Sequence, residues 1–437
     1  MPTHWSRKTN MEALIFDAIR TIIMFFVVIT LFKNYLFLTV SPFYMLRERI
    51  RYVKHARARK LREQPKFAPK ISVVIPAWNE GVGVIKTIES VLQNGYENVE
   101  VVVINDGSTD NSDDLIKGYQ KEIAKKSPET KQRFQYIYQK NGGKGTALNA
   151  GIKRATGEII LTVDADSALK KGSLNNLTKY FLDEEIMAVV GNVEIANART
   201  IIGLAQQMEY FFGFYNKRAH ALFGAEYIFG GACAAFRSSV FETIGLFDTE
   251  NKTEDIEMSM RTKFHGMKAT YGEDVICYTE GASDLAGLIS QRTRWKKGRL
   301  DTFKKYRSLF FSTEDHHNAF LSFFVLPFSV LAELMLLFEP IAIAIMVAYV
   351  IITSEYLSLA LGMAYIMLVF IVVPLFHSHP RPKYVFYFAF WPLFYFLDWV
   401  EFVSAYKSIR LIRQGKDIEW QRWNRQGIQG HIKEGKV

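Results

Sequence analysis

The chain has 437 residues, of which 49% are hydrophobic, and its formal net charge is +10. This length accommodates one sizeable soluble domain together with membrane segments. The basic residues cluster beside long apolar runs, which favours the inner face of a membrane and an anionic small ligand over nucleic acid. The sequence has two cysteines, Cys233 and Cys277, so a disulfide framework is not indicated and a reducing compartment fits.

The amino-terminal region predicts a membrane anchor. Thr21 to Val40 is apolar apart from Lys33 and Asn34, and twenty helical residues just span a hydrocarbon core of ~30 Å. A signal peptide is the competing interpretation, but a dense basic segment follows instead of a cleavage site. That segment, Arg47 to Glu63, is expected to lie along the cytosolic lipid surface and to keep the following domain inside.

From Lys70 onward, short β runs alternate with helical stretches. We expect helices at Gly83–Asn94, Ser112–Lys126 and Thr146–Ala155, and strands at Ile71–Pro76, Val99–Ile104, Phe134–Tyr138 and Ile159–Val163. This alternation predicts an α/β domain with a mostly parallel sheet that is covered on both faces. Ligands bind beyond the carboxyl ends of the strands in such sheets. Polar residues follow three of these strands, at 79–80, 105–108 and 164–166.

The composition becomes apolar again after about Phe310. Candidate membrane segments are Phe320–Thr353, Leu357–Phe376 and Tyr384–Ser404, followed by a basic tail. Three crossings would put that tail outside, whereas its cations prefer the inside. Three alternatives are open. Phe320–Thr353 supplies a further membrane crossing, or its first half lies flat at the membrane interface, or Tyr384–Ser404 does not cross the membrane. The acids within these runs either line a polar path or pair with nearby cations; they are Glu333, Glu339, Asp398 and Glu401.

Paired carboxylates, Asp164 and Asp166, stand directly after a buried strand. Alternate residues at such an edge can direct one acid at a metal ion and the other at a ribose. A hard divalent cation with few protein ligands and substrate phosphates is typical of Mg²⁺ or Mn²⁺. A lone Asp-x-Asp is often only a turn, but Asp106 at the end of another strand strengthens the metal-site interpretation.

Two further motifs combine a charged side chain with a predicted helix start. Asn141 to Gly145 opens a helix, so backbone N–H groups and Lys144 can meet a phosphate there. The spacing differs from a Walker loop, and an ordinary glycine turn is the alternative. Asp255 precedes the predicted helix Ile256–Phe264, where it is either a general base or an ordinary acid of a first helical turn.

Gln291, Arg294 and Trp295 share one face of the predicted helix Leu285–Lys305, because they are three and four residues apart. An arginine can neutralise a diphosphate, and an indole can form the floor beneath a sugar ring. An amphipathic interfacial helix is the other interpretation of this segment, and spacing alone does not separate the two.

Taken in order, these motifs resemble those of the processive family-2 glycosyltransferases, a group that includes cellulose, chitin, hyaluronan and poly-N-acetylglucosamine synthases. The resemblance extends over about residues 68–310 and rests on Ile-Pro-Ala-Trp-Asn-Glu, Ile-Asn-Asp-Gly-Ser, Asn-Gly-Gly-Lys-Gly, Asp-Ala-Asp, Thr-Glu-Asp and Gln-Arg-Thr-Arg-Trp. It implies a Rossmann-like GT-A domain on the cytosolic side, flanked by transmembrane helices. The ending Trp420 to Gly427 looks most like the poly-N-acetylglucosamine branch.

The resemblance also implies roles for individual residues. Asp255 matches the catalytic base, and Asp166 matches the ligand of a Mg²⁺ or Mn²⁺ ion. The nucleotide-sugar would be bound by Pro76, Glu80, Asp106, Lys144, Asp164, Asp166 and Arg294. The acceptor would be bound by Cys233, Gln291 and Trp295, although Phe229 to Arg237 departs from the Cys-Gly order of cellulose synthases.

The implied activity is inverting transfer from UDP-GlcNAc or UDP-glucose to a growing β-linked polysaccharide. The predicted protein is a multi-pass plasma-membrane enzyme, with the lipid bilayer as a partner and room for an accessory membrane subunit. Its predicted parts are an anchor with a basic segment (1–64), the GT-A domain (65–312), transmembrane helices (313–410) and a basic tail (411–437). The alternatives are a single transfer onto a lipid acceptor, and a catalytically idle membrane protein.

Overall fold

The computed structural model describes residues 31–65, 67–354, 356–377 and 382–416, and in addition Thr21, Phe25, Val28 and Gly427. Its central part contains the strands β1 Ile71–Ala77, β2 Val99–Asp106, β3 Phe134–Gln139, β4 Ile159–Thr162, β5 Ser167–Leu169, β6 Ile186–Ile195, β7 Ala234–Arg237 and β8 Lys268–Thr279. These strands form one sheet in the order β3-β2-β1-β4-β7-β6-β8-β5.

The first half of the sheet is parallel, as the sequence predicts. Strand β1 pairs in parallel with β2 and β4, and β2 pairs in parallel with β3. The second half is mixed: β6 and β8 are parallel, but β7 is antiparallel to both β4 and β6, and β5 is antiparallel to β8. The sheet is therefore mixed, because two strands of three and four residues, too short to show a period, run against the others.

The helices are α1 Phe43–Leu61, α2 Val84–Leu92, α3 Ser112–Lys126, α4 Pro128–Gln132, α5 Lys144–Ile152, α6 Ser173–Tyr180, α7 Ile201–Leu222, α8 Ser238–Ile244, α9 Glu254–Phe264, α10 Leu285–Lys305, α11 Leu326–Thr353, α12 Leu357–Leu375 and α13 Leu393–Arg413. They cover both faces of the sheet. Val73 and Val101 belong to a core with Ile88 of α2 and Ile116 of α3. Val102 and its neighbours belong to the core on the other face. Successive side chains of a strand point to opposite faces of the sheet. Because both faces are buried here, most residues of these strands are apolar and no alternation with polar residues is seen.

Two of the three predicted carboxy-terminal segments, Phe320–Thr353 and Leu357–Phe376, are helical over nearly their whole length. Within the described residues, one helical stretch, Leu321–Ile341, is long and apolar enough to cross a membrane, by length and composition, and Met363–Leu375 is a shorter apolar stretch. The predicted segment Tyr384–Ser404 is not one helix. A 3-10 helix, Pro382–Phe390, ends before α13 begins at Leu393. Pro392 is the N-cap residue of α13, a place where its missing N–H costs no helical hydrogen bond.

Seven of the twenty residues of the predicted anchor, Thr21 to Val40, lie outside the described residues. Residues 31–40 are helical, and the buried Leu38 packs with residues of α7 and α12. Helix α1 is joined to the sheet domain at its start, because the Arg47 guanidinium donates to the carbonyls of Ala221 and Leu222 at the end of α7. The motif from Trp420 to Gly427 also lies outside the described residues, apart from Gly427.

Candidate active site

The ends of β1, β2 and β4 lie side by side, because β1 is hydrogen-bonded to both neighbours. Asn79 ties two of these ends together: its side-chain oxygen accepts from the backbone N–H groups of Thr109 (2.6 Å) and Asp110 (3.2 Å). Its φ of 56° lies in the left-handed region, which asparagine tolerates better than most residues. Glu80 and the half-buried Pro76 therefore stand at the same edge as the loop after β2.

Asp106, the last residue of β2, organises the glycine loop in front of α5. One carboxylate oxygen accepts from Gln139 Nε2 (2.7 Å) and the Gly142 N–H (3.0 Å), and the other accepts from the Gly143 N–H (2.8 Å). The side chain is buried. Gly143 has a φ of 90°, which a residue with a Cβ rarely adopts. The structure thus ties Asp106, predicted to contact the nucleotide, to the predicted phosphate loop.

Four charged side chains from three elements meet beyond these strand ends. Lys144, the first residue of α5, has its Nζ 2.5 Å from Asp164 Oδ1 and 3.5 Å from Glu254 Oε1. Asp164 follows β4, and Glu254 and Asp255 begin α9. We call Lys144, Asp164, Glu254 and Asp255 the charged cluster.

The charged cluster holds Lys144 in its cationic form. Burial lowers the pKa of Lys144, but the carboxylates of Asp164, Glu254 and Asp255 raise it by more, so this pKa lies above its ordinary value. Burial raises the pKa of Glu254, and the neighbouring Asp255 carboxylate adds to the rise against the opposing effect of Lys144. A fixed positive charge therefore lies beside Asp164 at neutral pH.

Asp255 is held by two backbone groups. Its Oδ2 accepts from the Gly231 N–H (2.9 Å), and its Oδ1 accepts from the Ile256 N–H (2.9 Å). A Cβ on Gly231 would come within 2.9 Å of Lys144 Nζ and 3.1 Å of Asp255 Oδ2, so a larger residue here would have to displace one of these side-chain ends. The half-buried Asp255 is thereby fixed next to the cation, in reach of a ligand at the strand ends.

Asp166 fits a metal site of the kind in which the substrate completes the ligand set. Its Oδ1 lies 3.1 Å from Ser167 Oγ and 3.3 Å from Thr279 Oγ1, both of which orient the carboxylate. Among the described residues no group of three or more His, Cys, Asp and Glu side chains could hold a metal. Mg²⁺ and Mn²⁺ sites commonly use one or two carboxylates together with substrate phosphates, and Asp166 with Asp164 two residues away suits that arrangement.

Helix α10 runs against the start of α9. A Cβ on Gly298 would lie 1.9 Å from Thr253 Oγ1, so the Thr253 side chain packs directly on the backbone of α10 there. Thr253 is the N-cap position of α9 but makes no side-chain cap hydrogen bond; its hydroxyl donates instead to Asn251 (3.0 Å). Arg294 donates to the Lys252 carbonyl (3.3 Å). The structure thus places Arg294 and Gly298 against the residues that precede Asp255, and Gln291 and Trp295 share this face of α10 by their spacing.

Cys233 is placed apart from this surface. Its side chain is 1% exposed and belongs to the core of the sheet, where its sulfur faces Gly191. The contact to the charged cluster is made two residues earlier, by the Gly231 N–H. Burial of the small thiol, the commoner situation for a free cysteine, explains its place.

Three residues of the site are not singled out by the sequence. Glu254 contacts Lys144, and its signal is its position next to Asp255 in Thr-Glu-Asp. Gly231 donates to Asp255, and its signal is the Gly-Gly pair. Arg292 places its guanidinium 4.6 Å from the centre of the Trp295 ring, and only its place within Gln-Arg-Thr-Arg-Trp marks it.

Comparison with known proteins agrees with this geometry. The family model described as Glycosyl transferase family 2 matches residues 72–245. The model described as Glycosyl transferase family group 2 matches residues 159–397, which is 239 of the 437 residues.

Poly-beta-1,6-N-acetyl-D-glucosamine synthases from Staphylococcus aureus and Staphylococcus epidermidis are each 32% identical to the chain, over 234 and 232 residues. The match covers 52% of this chain and 54% of those proteins, so the chain spans about half the length of the curated relatives it matches. A solved mannosyltransferase from Pyrobaculum calidifontis, in complex with GDP-Man and Mn²⁺, has a TM-score of 0.51 at 18% identity, over 86% of this chain and 99% of that chain. The fold is that of the GT-A glycosyltransferases.

Proposed function

The chain belongs to the glycosyl transferase family group 2, and we propose that this family-2 glycosyltransferase transfers a sugar from a UDP-sugar to a growing β-linked polysaccharide. The observation that carries the proposal is the charged cluster, in which a carboxylate, Asp255, stands beside a fixed cation at the carboxyl ends of parallel strands. Nucleotide ligands bind at such strand ends. A carboxylate next to them is placed to act on an incoming hydroxyl.

The proposed reaction is a single displacement with inversion. Asp255 takes the proton of an acceptor hydroxyl while that oxygen forms a bond to the anomeric carbon. The bond between this carbon and the diphosphate oxygen breaks, and UDP leaves with the electron pair. Lys144 and Arg294 offset the negative charge that develops on the diphosphate, a contribution often worth several kcal/mol. When bound, a divalent cation at Asp166 adds positive charge beside the same phosphates.

The substrate class follows the two curated relatives. Both are poly-beta-1,6-N-acetyl-D-glucosamine synthases by name, and their match covers 52% of this chain. We therefore propose UDP-GlcNAc as the donor, with UDP-glucose as the alternative, and a growing glycan as the acceptor. Transfer onto a lipid acceptor remains the second candidate.

The proposed setting is the cytosolic face of the plasma membrane. The stretch Leu321–Ile341 is one candidate crossing. On α1 the apolar side chains of Leu46, Ile50 and Val53 are exposed next to Arg49 and Lys54. Apolar residues flanked by cations are typical of a helix that lies on an anionic lipid surface. The proposal of a multi-pass enzyme rests on these features and on the apolar helix α12.

Product sizing tests the function. The purified full-length protein in liposomes is incubated with radiolabelled UDP-GlcNAc or UDP-glucose, and the products are separated by size. We expect polymer from UDP-GlcNAc, which is removed by a glycosidase specific for β-linked N-acetylglucosamine. A labelled product of one sugar on lipid would support the second candidate, and no consumption of either donor would contradict both.

The metal role of Asp166 gives a separate prediction. In wild type, Mn²⁺ should tighten UDP binding, and a chelator should reverse this. Asp166→Asn should reduce that Mn²⁺-dependent gain by at least about tenfold, since even residues that only support a metal ligand usually cost that much in metal affinity. Calorimetric titration of UDP with and without Mn²⁺ measures the effect.

The control for Asp166→Asn is Glu185→Gln, which removes a carboxylate that is 70% exposed on the surface and pairs with Lys268. It should bind UDP as wild type does in both conditions. Equal activity of the wild-type enzyme with and without chelator would show that Asp166 does not act through a metal ion.

A further inference from the structure

Helix α10 carries three cations on a face adjacent to the one that meets α9. Arg292, Lys296 and Arg299 are four and three residues apart, so they follow one stripe of the helix. Arg292 is 6% exposed and Lys296 is 3% exposed. Charged groups this deeply buried need partners, because an isolated ion is strongly disfavoured away from water. The proposed transfer chemistry uses neither of the two.

Their partners come from three other helices. Both terminal nitrogens of Arg292 donate to Glu209 of α7, at 2.8 and 2.6 Å, and Nη1 lies 3.5 Å from Glu401 of α13. Lys296 Nζ lies 2.6 Å from Glu401 and 2.8 Å from Glu333 of α11. Arg299 also pairs with Glu333. We call these six residues the α10 ion network.

The α10 ion network contains three cations and three carboxylates, and each carboxylate belongs to a different helix. Lys296 bridges Glu333 and Glu401, so a single ammonium group joins α10, α11 and α13. Such buried ion pairs add little net stability, because desolvation cancels much of the attraction. They do penalise any shift that would leave a charge unpaired, and a network of this kind therefore fixes one register of the helices.

The register of α10 matters for the active site at two points. Gly298, between Lys296 and Arg299, packs its backbone on Thr253, two residues before Asp255. Arg292 stacks on the Trp295 ring while its nitrogens are held by Glu209. A shift of α10 would therefore move both Thr253, which directly precedes α9, and the Trp295 indole, which is proposed to bind the acceptor.

We infer that Glu209, Glu333 and Glu401 are positioning residues, which act through Arg292 and Lys296 to hold α10 in the register that places Asp255 and Trp295. The inference rests on the proposed function in one respect, because its kinetic test measures the kcat of sugar transfer. On this inference, Glu333 and Glu401 of the carboxy-terminal apolar helices pair with cations of the catalytic domain and do not line a polar path through the membrane. The apolar helices and the transfer site are then coupled through one lysine.

The kinetic test compares Lys296→Met with Lys296→Arg in the full-length enzyme. Methionine keeps the length of the side chain without the charge, and we expect kcat to fall about 100-fold, the loss that a misplacement of about 1 Å can cause. Arginine can contact both carboxylates and should restore kcat to within a few fold of wild type. The matched control is Lys268→Met, at a lysine that is 61% exposed and pairs with Glu185; it should leave kcat unchanged.

A double-mutant cycle adds a readout that general destabilisation does not give. Glu401→Gln alone should lower kcat, but in the Lys296→Met background it should lower kcat by a much smaller factor, because its partner is already gone. Independent effects that multiply, or a well-folded Lys296→Arg as slow as Lys296→Met, would overturn the inference.

Hydrogen exchange separates this inference from the proposed function. In Lys296→Met, peptides from α10 and from the start of α9 should exchange faster, whereas peptides from β1 and β2 should exchange as in wild type. Unchanged exchange in α9 and α10, or an equal increase throughout the domain, would overturn the positioning role. If the wild-type enzyme consumes no UDP-sugar, the proposed function fails and the exchange pattern alone decides the inference.

Discussion

Asp255→Asn is expected to lower sugar transfer by about 10²- to 10⁴-fold, the usual range for loss of a general base, while the affinity for UDP stays within a few fold of wild type. Asparagine has the same shape, and its side-chain oxygen can still accept from the Gly231 N–H that holds Oδ2 in wild type. It cannot take a proton from an acceptor hydroxyl. Initial rates with labelled donor and calorimetric UDP titration measure the two quantities on the same preparation.

The control for Asp255→Asn is Glu250→Gln, which removes a carboxylate from an exposed position five residues earlier in the chain. This variant should transfer sugar at the wild-type rate. A fall in UDP affinity as large as the fall in rate would contradict the base assignment, because it would place Asp255 on the nucleotide and not on the acceptor.

The sequence predicts the edge that carries the site because a buried parallel strand leaves a clear local signal. β2 and β4 are mainly apolar runs, interrupted in β2 by Glu100, and polar residues follow each of them. Asp106 and Asp164 therefore come to the same edge of the sheet, on either side of the end of β1, once the order of the strands is known. The helix α10 was also predicted with its observed bounds, since its amphipathic pattern extends over 21 residues.

The contacts between these elements could not be predicted, because they join residues that are far apart in the chain. Nothing near Lys144 in sequence shows that its partners are Asp164 and Glu254. The acids Glu333 and Glu401 are open to two interpretations in the sequence, a polar path or pairs with cations. The structure pairs both with cations of α10, a result that depends on how whole helices pack.

Two differences from the predictions have local causes. The resemblance implies an acceptor role for Cys233, whereas the structure places its thiol in the core of the sheet, directly before β7. Strand β7 itself has four residues and lies antiparallel between β4 and β6. A run this short has no period that could reveal its direction, so the mixed half of the sheet was not predicted.

Trp295→Ala is expected to shorten the polymer while UDP binding and slow donor hydrolysis persist. Trp295 is half-buried and lies on the same face of α10 as Gly298, which packs on Thr253. An indole stacked on a sugar supplies affinity without fixing one pattern of hydroxyl groups, so a chain can advance between additions. Loss of about 1.4 kcal/mol of this affinity would speed release of the product about tenfold. Since chain length reflects extension relative to release, the mean length should fall by about the same factor.

The variant that isolates the aromatic face is Trp295→Phe, which keeps a ring at this position beside Arg292. Its products should be intermediate in length between those of wild type and Trp295→Ala. Gel filtration of labelled products, made from the same donor at equal total incorporation, measures all three distributions. Identical distributions for wild type and Trp295→Ala would show that the indole does not hold the acceptor. If the wild-type enzyme itself adds a single sugar to a lipid, the proposal of chain elongation is wrong, and transfer onto a lipid acceptor replaces it.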